Sequence, residues 1–427
     1  MALLIKGGRV LHGKKYALEK LDVVVEGTRI KTIASGGSQK GTFETVIDAT
    51  GCVVVPGLFD IHVHLREPGR EDAETIATGT RAAVKGGVVA LSSMPNTKPV
   101  IDNGGMVEFI LSQVEEVGLC NVHPFGAITK GLLGEEMAEI GELAEAGCVG
   151  ITDDGRPVMN SVILRRSLEY AKHFNILVME HCEDINLSEG GVMNEGATST
   201  RLGLKGIPSA SEAILVARDI HLARLAGTGI HIAHVSCAES VELIRQARRE
   251  GLDVTAHTCP HYFSLTEENC ADFDTRFKIN PPLRTRRDVE AVIAGLKDGT
   301  IQAIASDHAP HPGYEKEKDF NNAPFGTIGL ETLFSVSYTY LVEKGHLSLG
   351  ELIKLLSFNP AQLVKLDYGV LEEGGSAHIA VIDLNAEYSL SPEDIVSKSK
   401  NSVFLGVPLK GAVRATIVDG KVVYSAF

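Results

Sequence analysis

The sequence predicts an α/β protein: a (β/α)₈ TIM-type barrel beside a small, discontinuous β-sandwich that both termini form together. Three observations predict it. Through the middle of the chain, short apolar runs alternate with longer segments of helical spacing, which is typical of repeated βα units. Both ends of the chain carry short strand-like runs separated by glycines. The 427 residues exceed one ordinary domain and suit a large barrel with a smaller module.

The two ends are predicted to be β structure. Apolar side chains alternate near the N-terminus, as at Val23 and Val25. Strand-like runs near the C-terminus span residues 378–383, 413–418 and 421–424, and Asp419-Gly420 is a tight turn between the last two. Since neither end carries enough apolar surface for its own core, we expect residues 1–55 and 366–427 to form one module and residues 56–365 to form the barrel.

Eight apolar runs between these ends are the predicted barrel strands. They span residues 53–64, 87–93, 122–128, 148–152, 176–181, 229–234, 253–257 and 301–306. Helical spacing follows in residues 71–85, 135–146, 161–173, 211–225, 239–249, 288–296 and 329–344. The alternative is an open, doubly wound sheet, which normally has a Gly-rich phosphate loop after its first strand. Here the first strand ends in His-Val-His-Leu-Arg, which favours the barrel.

Composition excludes several classes of partner. The net charge of −14 provides no basic face for nucleic acid and disfavours attachment to an anionic membrane. The first residues lack the apolar stretch of a signal peptide, and the chain has no apolar run of about 18 residues that would predict a membrane span. We therefore expect a cytoplasmic protein.

The seven cysteines are odd in number, scattered and free of any Cys-x-x-Cys pair. This distribution argues against a disulfide framework or a zinc knuckle, and we expect reduced, buried thiols. Cys182 and Cys259 lie beside histidines, but neither has an evident neighbouring cation or helix start to activate it as a nucleophile.

His62 and His64 lie two residues apart at the end of the first predicted barrel strand. Side chains of an extended strand alternate between its faces, so the two imidazoles share a face with Asp60. Imidazole is a common ligand of zinc and neighbouring first-row metals. Taken alone, the pair fits two partly exposed strand-end histidines equally well.

Polar residues also close other predicted strands. In barrels of this type, chemistry occurs at the carboxyl ends of the strands. The strand-end residues are Asn96, Asp153, Asp154, His181, His234 and Asp307. A buried structural histidine usually stands alone, so several histidines and aspartates converging on one mouth favour a metal site. The set suits one zinc ion with an open position or two ions that share a bridging oxygen ligand.

Five motifs are the most specific parts of the sequence. They are Asp60–Gly69 (DIHVHLREPG), Met94–Thr97 (MPNT), Thr152–Gly155 (TDDG), Phe277–Arg284 (FKINPPLR) and Asp307–His311 (DHAPH). Together they resemble the metal-dependent amidohydrolase superfamily and, within it, the class I dihydroorotases. The resemblance extends over nearly the whole chain and implies a barrel flanked by a β-sandwich from both termini.

The resemblance implies a pair of zinc ions with ligands from several strands. The implied ligands are His62 and His64 for one ion, His181 and His234 for the other, Asp154 as the bridge, and Asp307 on the first ion. Asp307 is also the implied catalytic acid–base residue. Many relatives bridge their metals with a carboxylated lysine, but residues 147–152 contain none. Asp153 is the rival of Asp154, because adjacent residues of an extended segment face opposite ways.

The implied reaction is reversible closure of N-carbamoyl-L-aspartate to L-dihydroorotate in pyrimidine (UMP) biosynthesis. A substrate carboxylate needs a cation with fork geometry, and Arg66 follows His64 by two residues, on the same strand face by alternation. The expected substrate contacts are His64, Arg66, Asn96, Asn280, His311, Phe325 and Gly326. The segment 311–326 is polar and without periodicity, so we expect a loop that covers the mouth.

Two alternative functions stay open. The first is another cyclic amide hydrolase, a hydantoinase or allantoinase. Pro260-His261-Tyr262 favours it, because many dihydroorotases have Pro-His-His there, and the roles of His257 and His261 stay open. Arg66, the motif Met94–Thr97 and the absence of a lysine on strand four argue against it. The second is a non-catalytic dihydroorotase-like scaffold of aspartate transcarbamoylase, although such chains typically lose metal histidines. The expected partners are a small-molecule substrate and a second copy in a homodimer, with association with aspartate transcarbamoylase a further option.

Overall fold

The computed structural model describes residues 2–36 and 42–427, so Met1 and residues 37–41 of the predicted N-terminal module lie outside the described residues. It confirms the predicted fold class. The eight parallel strands, called barrel strands 1 to 8 in chain order, are Leu58–Val63, Val88–Ser93, Asn121–Val122 with Phe125–Gly126, Gly150–Ile151, Leu177–Glu180, Ile230–Ile232, Val254–Thr258 and Ala303–Ile304. The ring closes where the His64 amide donates to the His308 carbonyl at 2.9 Å and Val63 pairs with His308.

Helices surround the barrel. The longer ones are Ile76–Lys85, Gly104–Val117, Ser161–Phe174, Ala210–Ala226, Ala238–Arg249 and Arg286–Lys297. Shorter α-helices are Ile140–Glu145, Ile185–Ser188, Ala197–Leu202, Pro260–Ser264, Gly313–Lys316, Leu333–Ser337, Leu349–Ile353 and Asn359–Leu363. Single 3₁₀ turns are Lys130–Leu132, Glu267–Cys270, Thr275–Phe277 and Leu330–Thr332, and π-helical turns are Tyr338–Val342 and Lys354–Phe358. None of the helices in the described ranges is long and apolar enough to cross a membrane.

Some predicted helix boundaries were wrong, and one helix was missed. The predicted helix 135–146, for example, begins only at Ile140. Helix 71–85 begins only at Ile76, because the Thr75 side chain accepts from the Thr78 amide and caps it. Helix Gly104–Val117 was not predicted, because it opens on two glycines, which are poor helix formers.

The predicted first strand, 53–64, is in fact two strands. Val53–Pro56 belongs to the terminal sheet and Leu58–Val63 to the barrel. The chain changes sheets at Gly57, whose amide donates to the His378 carbonyl at 3.0 Å. A Cβ atom at Gly57 would lie 2.2 Å from Val89 Cγ1, so only glycine fits between the two sheets.

The two termini share one nine-stranded sheet. Its strands are Ala2–Lys6, Arg9–His12, Ala17–Glu26, Arg29–Ser35, Thr45–Asp48, Val53–Pro56, Ile379–Ser389, Pro408–Val418 and Lys421–Ser425, with a separate two-stranded pairing of Met193–Asn194 and Gly206–Ile207. The N- and C-terminal parts join where Val54 pairs with Val381 in antiparallel register. Ile5 and Val25 from one part share a buried cluster with Ile417 from the other, so the sheet folds over its own core. The division at residues 55/56 and 365/366 stays a prediction.

We predict that Gly57→Ala lowers the free energy of unfolding by about 1 to 3 kcal/mol, because the added methyl group overlaps Val89 in a closely packed interior. Urea unfolding followed by circular dichroism measures the change. Gly105→Ala is the matched control, because its Cβ would have Asn103 Oδ1 as its nearest contact, at 3.4 Å. An unchanged midpoint for Gly57→Ala would contradict the tight junction.

Candidate metal centre and active site

The predicted histidines and aspartates meet at the carboxyl ends of the barrel strands. His62 lies in barrel strand 1, and the others follow the ends of strands 1, 4, 5, 6 and 8 within three residues. His234 and Asp307 have backbone φ angles of 34° and 46°, in the left-handed region that non-glycine residues rarely occupy. Such strained positions cluster at functional sites, where the surrounding structure enforces them.

Asp154 lies at the centre of the cluster, between two pairs of imidazoles. Its Oδ2 atom is 3.2 Å from His62 Nε2 and 3.4 Å from His64 Nε2. Its Oδ1 atom is 3.4 Å from His234 Nε2 and 3.8 Å from His181 Nδ1. One oxygen therefore faces each pair, which is the arrangement required of a carboxylate that bridges two cations.

Asp307 approaches the first pair from the opposite strand. Its Oδ1 atom is 3.3 Å from His64 Nε2 and 3.6 Å from His62 Nε2. Burial opposes ionisation, but the hydrogen bond to His64 and the charge of His62 lower the pKa of Asp307 to about 2. The same imidazoles hold the pKa of Asp154 well below its ordinary value against burial. Both carboxylates are therefore ionised at neutral pH.

These residues fit a metal centre. His62 Nε2 and Asp154 Oδ1 are buried and have no hydrogen-bond partner among the described residues. Buried polar atoms are rarely left unsatisfied, so each of these two atoms calls for a ligand. Imidazole nitrogen and carboxylate oxygen are the donors that zinc and other first-row cations take.

Hydrogen bonds on the far side of two rings fix which nitrogen faces the centre. His64 Nδ1 lies 2.9 Å from Asn96 Oδ1, and His181 Nε2 lies 2.8 Å from Glu183 Oε2. Each oxygen accepts an N–H, so the other ring nitrogen keeps its lone pair for a cation. Sequence reasoning assigned no role to Glu183, although its position two residues after His181 was the available signal.

Asp153 is turned away from the centre. Its Oδ1 atom accepts from the Ile128 amide at 2.8 Å and the Thr129 amide at 2.9 Å. It therefore supports the end of barrel strand 3, and the structure places Asp154 among the imidazoles, as predicted.

A cavity of about 250 Å³ opens above the cluster. All the predicted substrate contacts line it: His64, Arg66, Asn96, Asn280, His311, Phe325 and Gly326. Arg66 was predicted to share a strand face with His64. This was wrong, because barrel strand 1 ends at Val63 and Arg66 has a left-handed φ of 62°. Burial lowers the pKa of Arg66 to about 10, which leaves the guanidinium protonated at neutral pH.

The segment 311–326 forms one wall of the cavity and is anchored from within. Lys316 is buried, and its ammonium donates to the Pro324 carbonyl at 2.9 Å and the Gly326 carbonyl at 3.1 Å. The His311 ring donates from Nε2 to the Phe325 carbonyl at 2.8 Å. These bonds hold the backbone of Phe325 and Gly326 against the cavity.

The thiols take no part in this chemistry. All seven cysteines are buried and unpaired with one another. Burial raises the pKa of Cys182 and of Cys259 well above the ordinary value, so neither supplies a thiolate at neutral pH.

His257 and His261 are both buried, in different surroundings. His257 Nε2 lies 3.1 Å from His62 Nδ1, directly behind the metal cluster. The His261 ring packs on Tyr262 with ring centres 4.2 Å apart.

Comparison with known proteins finds dihydroorotases that match nearly the whole chain. The Dihydro-orotase-like family matches residues 51–240 and the Amidohydrolase family matches residues 286–424. A dihydroorotase of Acetivibrio thermocellus is 51% identical over 99% of this chain and 98% of its own length. A dihydroorotase of Geobacter sp. strain M21 is 50% identical over all of both chains. The chain belongs to the dihydroorotase family. Among solved structures, the L-hydantoinase of Arthrobacter aurescens shares the fold, with a TM-score of 0.88 and 24% identity over 99% of this chain and 96% of that one.

We predict that Asp154→Ala weakens metal binding by more than the roughly 10- to 100-fold loss typical of groups that only orient a ligand. The reason is that each Asp154 oxygen faces a different pair of imidazoles. Zinc retained after dialysis against a chelator, measured by mass spectrometry, tests this. Asp153→Asn is the control and should retain wild-type zinc, and equal losses in the two variants would contradict the assignment.

We also predict that Lys316 makes stability depend on pH. Burial lowers the pKa of Lys316 to about 7, so between pH values of about 7 and 10.5 the unfolded chain binds more protons at this group. Its contribution to stability therefore rises with pH across this window and is lost as pH falls through 7. Urea unfolding of wild type and Lys316→Met measures this. As pH rises from about 7 to 10.5, the free energy of unfolding of wild type should increase relative to that of the variant. The exposed Lys318→Met is the control, and a flat difference for Lys316→Met would disprove the effect.

Proposed function

We propose that this protein catalyses the reversible ring closure of N-carbamoyl-L-aspartate to L-dihydroorotate. The observation that carries the proposal is a bridging aspartate between two imidazole pairs, beneath a cavity that presents a buried guanidinium. Dihydroorotases about half identical over the full length support the same reaction.

Two zinc ions are proposed for the centre. His62, His64 and Asp307 would hold one ion, His181 and His234 the other, and Asp154 would bridge them. Bound zinc lowers the pKa of water from 15.7 to about 7 and polarises an amide carbonyl. Asn96 and Glu183 keep the rings of His64 and His181 in the orientation that this requires.

Asp307 is the proposed acid–base residue. Its low pKa keeps the carboxylate ionised and ready to accept a proton at Oδ. In the hydrolytic direction it takes the proton of the attacking water and delivers it to the ring nitrogen that leaves, and ring closure reverses both transfers. It lines the cavity and contacts His64, so it can reach both substrate and metal ligand.

Arg66 is the proposed receptor of the substrate carboxylate. The chain as a whole carries a charge of −14, so a buried cation in the cavity is what lets an anionic substrate enter. Its guanidinium is oriented by the bond from Nε to the Pro310 carbonyl at 3.2 Å. Asn280 and His311 add polar groups to the wall, and the backbone of Phe325 and Gly326 completes it.

Further parts of the proposal concern the setting of the enzyme. We propose that the reaction serves pyrimidine biosynthesis and takes place in the cytoplasm. A homodimer is proposed as the assembly, with aspartate transcarbamoylase as a candidate partner, and gel filtration with and without that enzyme tests both.

The substrate assay separates this proposal from a hydantoinase or allantoinase. Purified zinc-loaded protein is assayed with dihydroorotate, hydantoin and allantoin in parallel. We expect turnover of dihydroorotate and its loss after chelation. Activity confined to the uncharged rings would refute the proposed substrate, and no activity on any of them would favour a scaffold.

Arg66→Met should reduce kcat/KM for dihydroorotate by about 10- to 150-fold, mainly through KM. A hydrogen bond to a charged group is worth about 1.5 to 3 kcal/mol, and this contact binds ground state and transition state alike. Steady-state kinetics measure the effect, and Arg70→Met, which removes a partly exposed cation outside the cavity lining, is the control. An unchanged KM for Arg66→Met would remove Arg66 from the binding site.

A further inference from the structure

A row of buried side chains continues from the metal centre into the barrel. His62 Nδ1 lies 3.1 Å from His257 Nε2, and His257 Nδ1 lies 2.8 Å from His231 Nε2. His231 Nδ1 lies 2.8 Å from Thr255 Oγ1. His62, His257 and His231 are completely buried. The row joins four side chains through three hydrogen bonds.

Strand geometry explains why these residues line up. Thr255 and His257 are two residues apart in barrel strand 7, so their side chains share one face. His231 lies in barrel strand 6 and pairs with Thr255 in register. Thr255 also lines a second cavity of about 250 Å³, beside Asp253 and Lys365. The row therefore connects the metal centre with a separate cavity.

When all three rings are neutral, the row has only two consistent arrangements of protons. A neutral imidazole donates from one nitrogen and accepts at the other. If His62 keeps its lone pair at Nε2, its proton is at Nδ1 and must be donated to His257 Nε2. His257 then donates from Nδ1 to His231, and His231 donates from Nδ1 to the Thr255 hydroxyl. In the reverse arrangement every donor is reversed, and His62 presents an N–H at Nε2, which cannot bind a cation.

We propose that His257, His231 and Thr255 act as positioning residues that fix the tautomer of His62 and hold its Nε2 lone pair toward the first metal ion. The proposal rests on the proposed metal centre. The row ends at Thr255, whose hydroxyl oxygen accepts the N–H of His231 Nδ1. Burial lowers the pKa of His231 to about 3, which keeps that ring neutral and limits it to one donor.

The first test removes the central link. His257→Leu leaves His62 Nδ1 without an acceptor, whereas His257→Gln restores one, because the amide oxygen accepts from His62 and the amide nitrogen donates to His231. Zinc affinity is measured by competition with a chelating dye on the full-length protein. For His257→Leu we expect one of the two ions to bind about 10- to 100-fold more weakly and the other within about threefold of wild type. His257→Gln should be close to wild type for both.

Weaker binding of only one zinc ion distinguishes a positioning role of His257 from general damage to the fold. Unchanged affinity in His257→Leu, or equal weakening of both ions, would overturn the proposal. Zinc binding needs no turnover, so the result is independent of which substrate the enzyme uses. A wild-type protein that binds no zinc would instead refute the proposed function itself.

A second measurement determines the histidine tautomers in the wild-type protein itself. In zinc-loaded wild-type protein with ¹⁵N-labelled histidine, two-bond proton–nitrogen spectra report which ring nitrogen carries the proton. We expect His257 and His231 both to be protonated at Nδ1, with assignments from His257→Gln and His231→Gln. A proton at Nε2 of either ring would overturn the proposal.

Discussion

The site depends on one electrostatic constraint: two ionised carboxylates are buried together at the mouth of the barrel. Asp154 and Asp307 both have depressed pKa values although they are almost fully removed from solvent. A buried charge is costly unless it is paired. Divalent cations bound among the imidazoles would offset both negative charges. A bound metal ion would therefore stabilise this cluster of side chains as well as supply its chemistry.

The rest of the fold supplies the geometry for that constraint. The proposed metal ligands come from barrel strands 1, 4, 5, 6 and 8, so they converge only if the ring closes. It does so through the hydrogen bond from the His64 amide to the His308 carbonyl. The nine-stranded terminal sheet packs against this ring at Gly57, where the chain passes from one sheet into the other. The segment held by Lys316 forms the remaining wall of the cavity. Each of these elements acts on the centre through backbone position rather than through direct chemistry.

Sequence reasoning reached the metal cluster because the signal was local: histidines and aspartates close apolar runs, and strand ends of a barrel converge. It chose Asp154 over Asp153 from the family pattern, and alternation explains why only one enters. It missed the break at Gly57 because the residues on both sides are equally apolar. It placed Arg66 in the site by strand alternation. The strand in fact ends at Val63, and a left-handed backbone conformation at Arg66 directs its side chain into the cavity. The roles of His231 and His257 arise from contacts across strands, which no local pattern encodes. Glu183 was within reach of sequence reasoning, because it follows its partner His181 by two residues.

The barrel interior contains polar histidines where apolar side chains are the rule. Interiors of such barrels are usually filled by apolar side chains, and Phe59, Ile61 and Met179 do form one buried cluster here. Two further imidazoles occupy the same interior, where an unpaired polar group would be strongly destabilising. They are tolerated because every nitrogen of His231 and His257 has a partner. Once a cation occupies His62 Nε2, every hydrogen bond of this fully paired row must run in one direction. The buried side chains that strands 6 and 7 contribute therefore determine which nitrogen of His62 on strand 1 carries its proton.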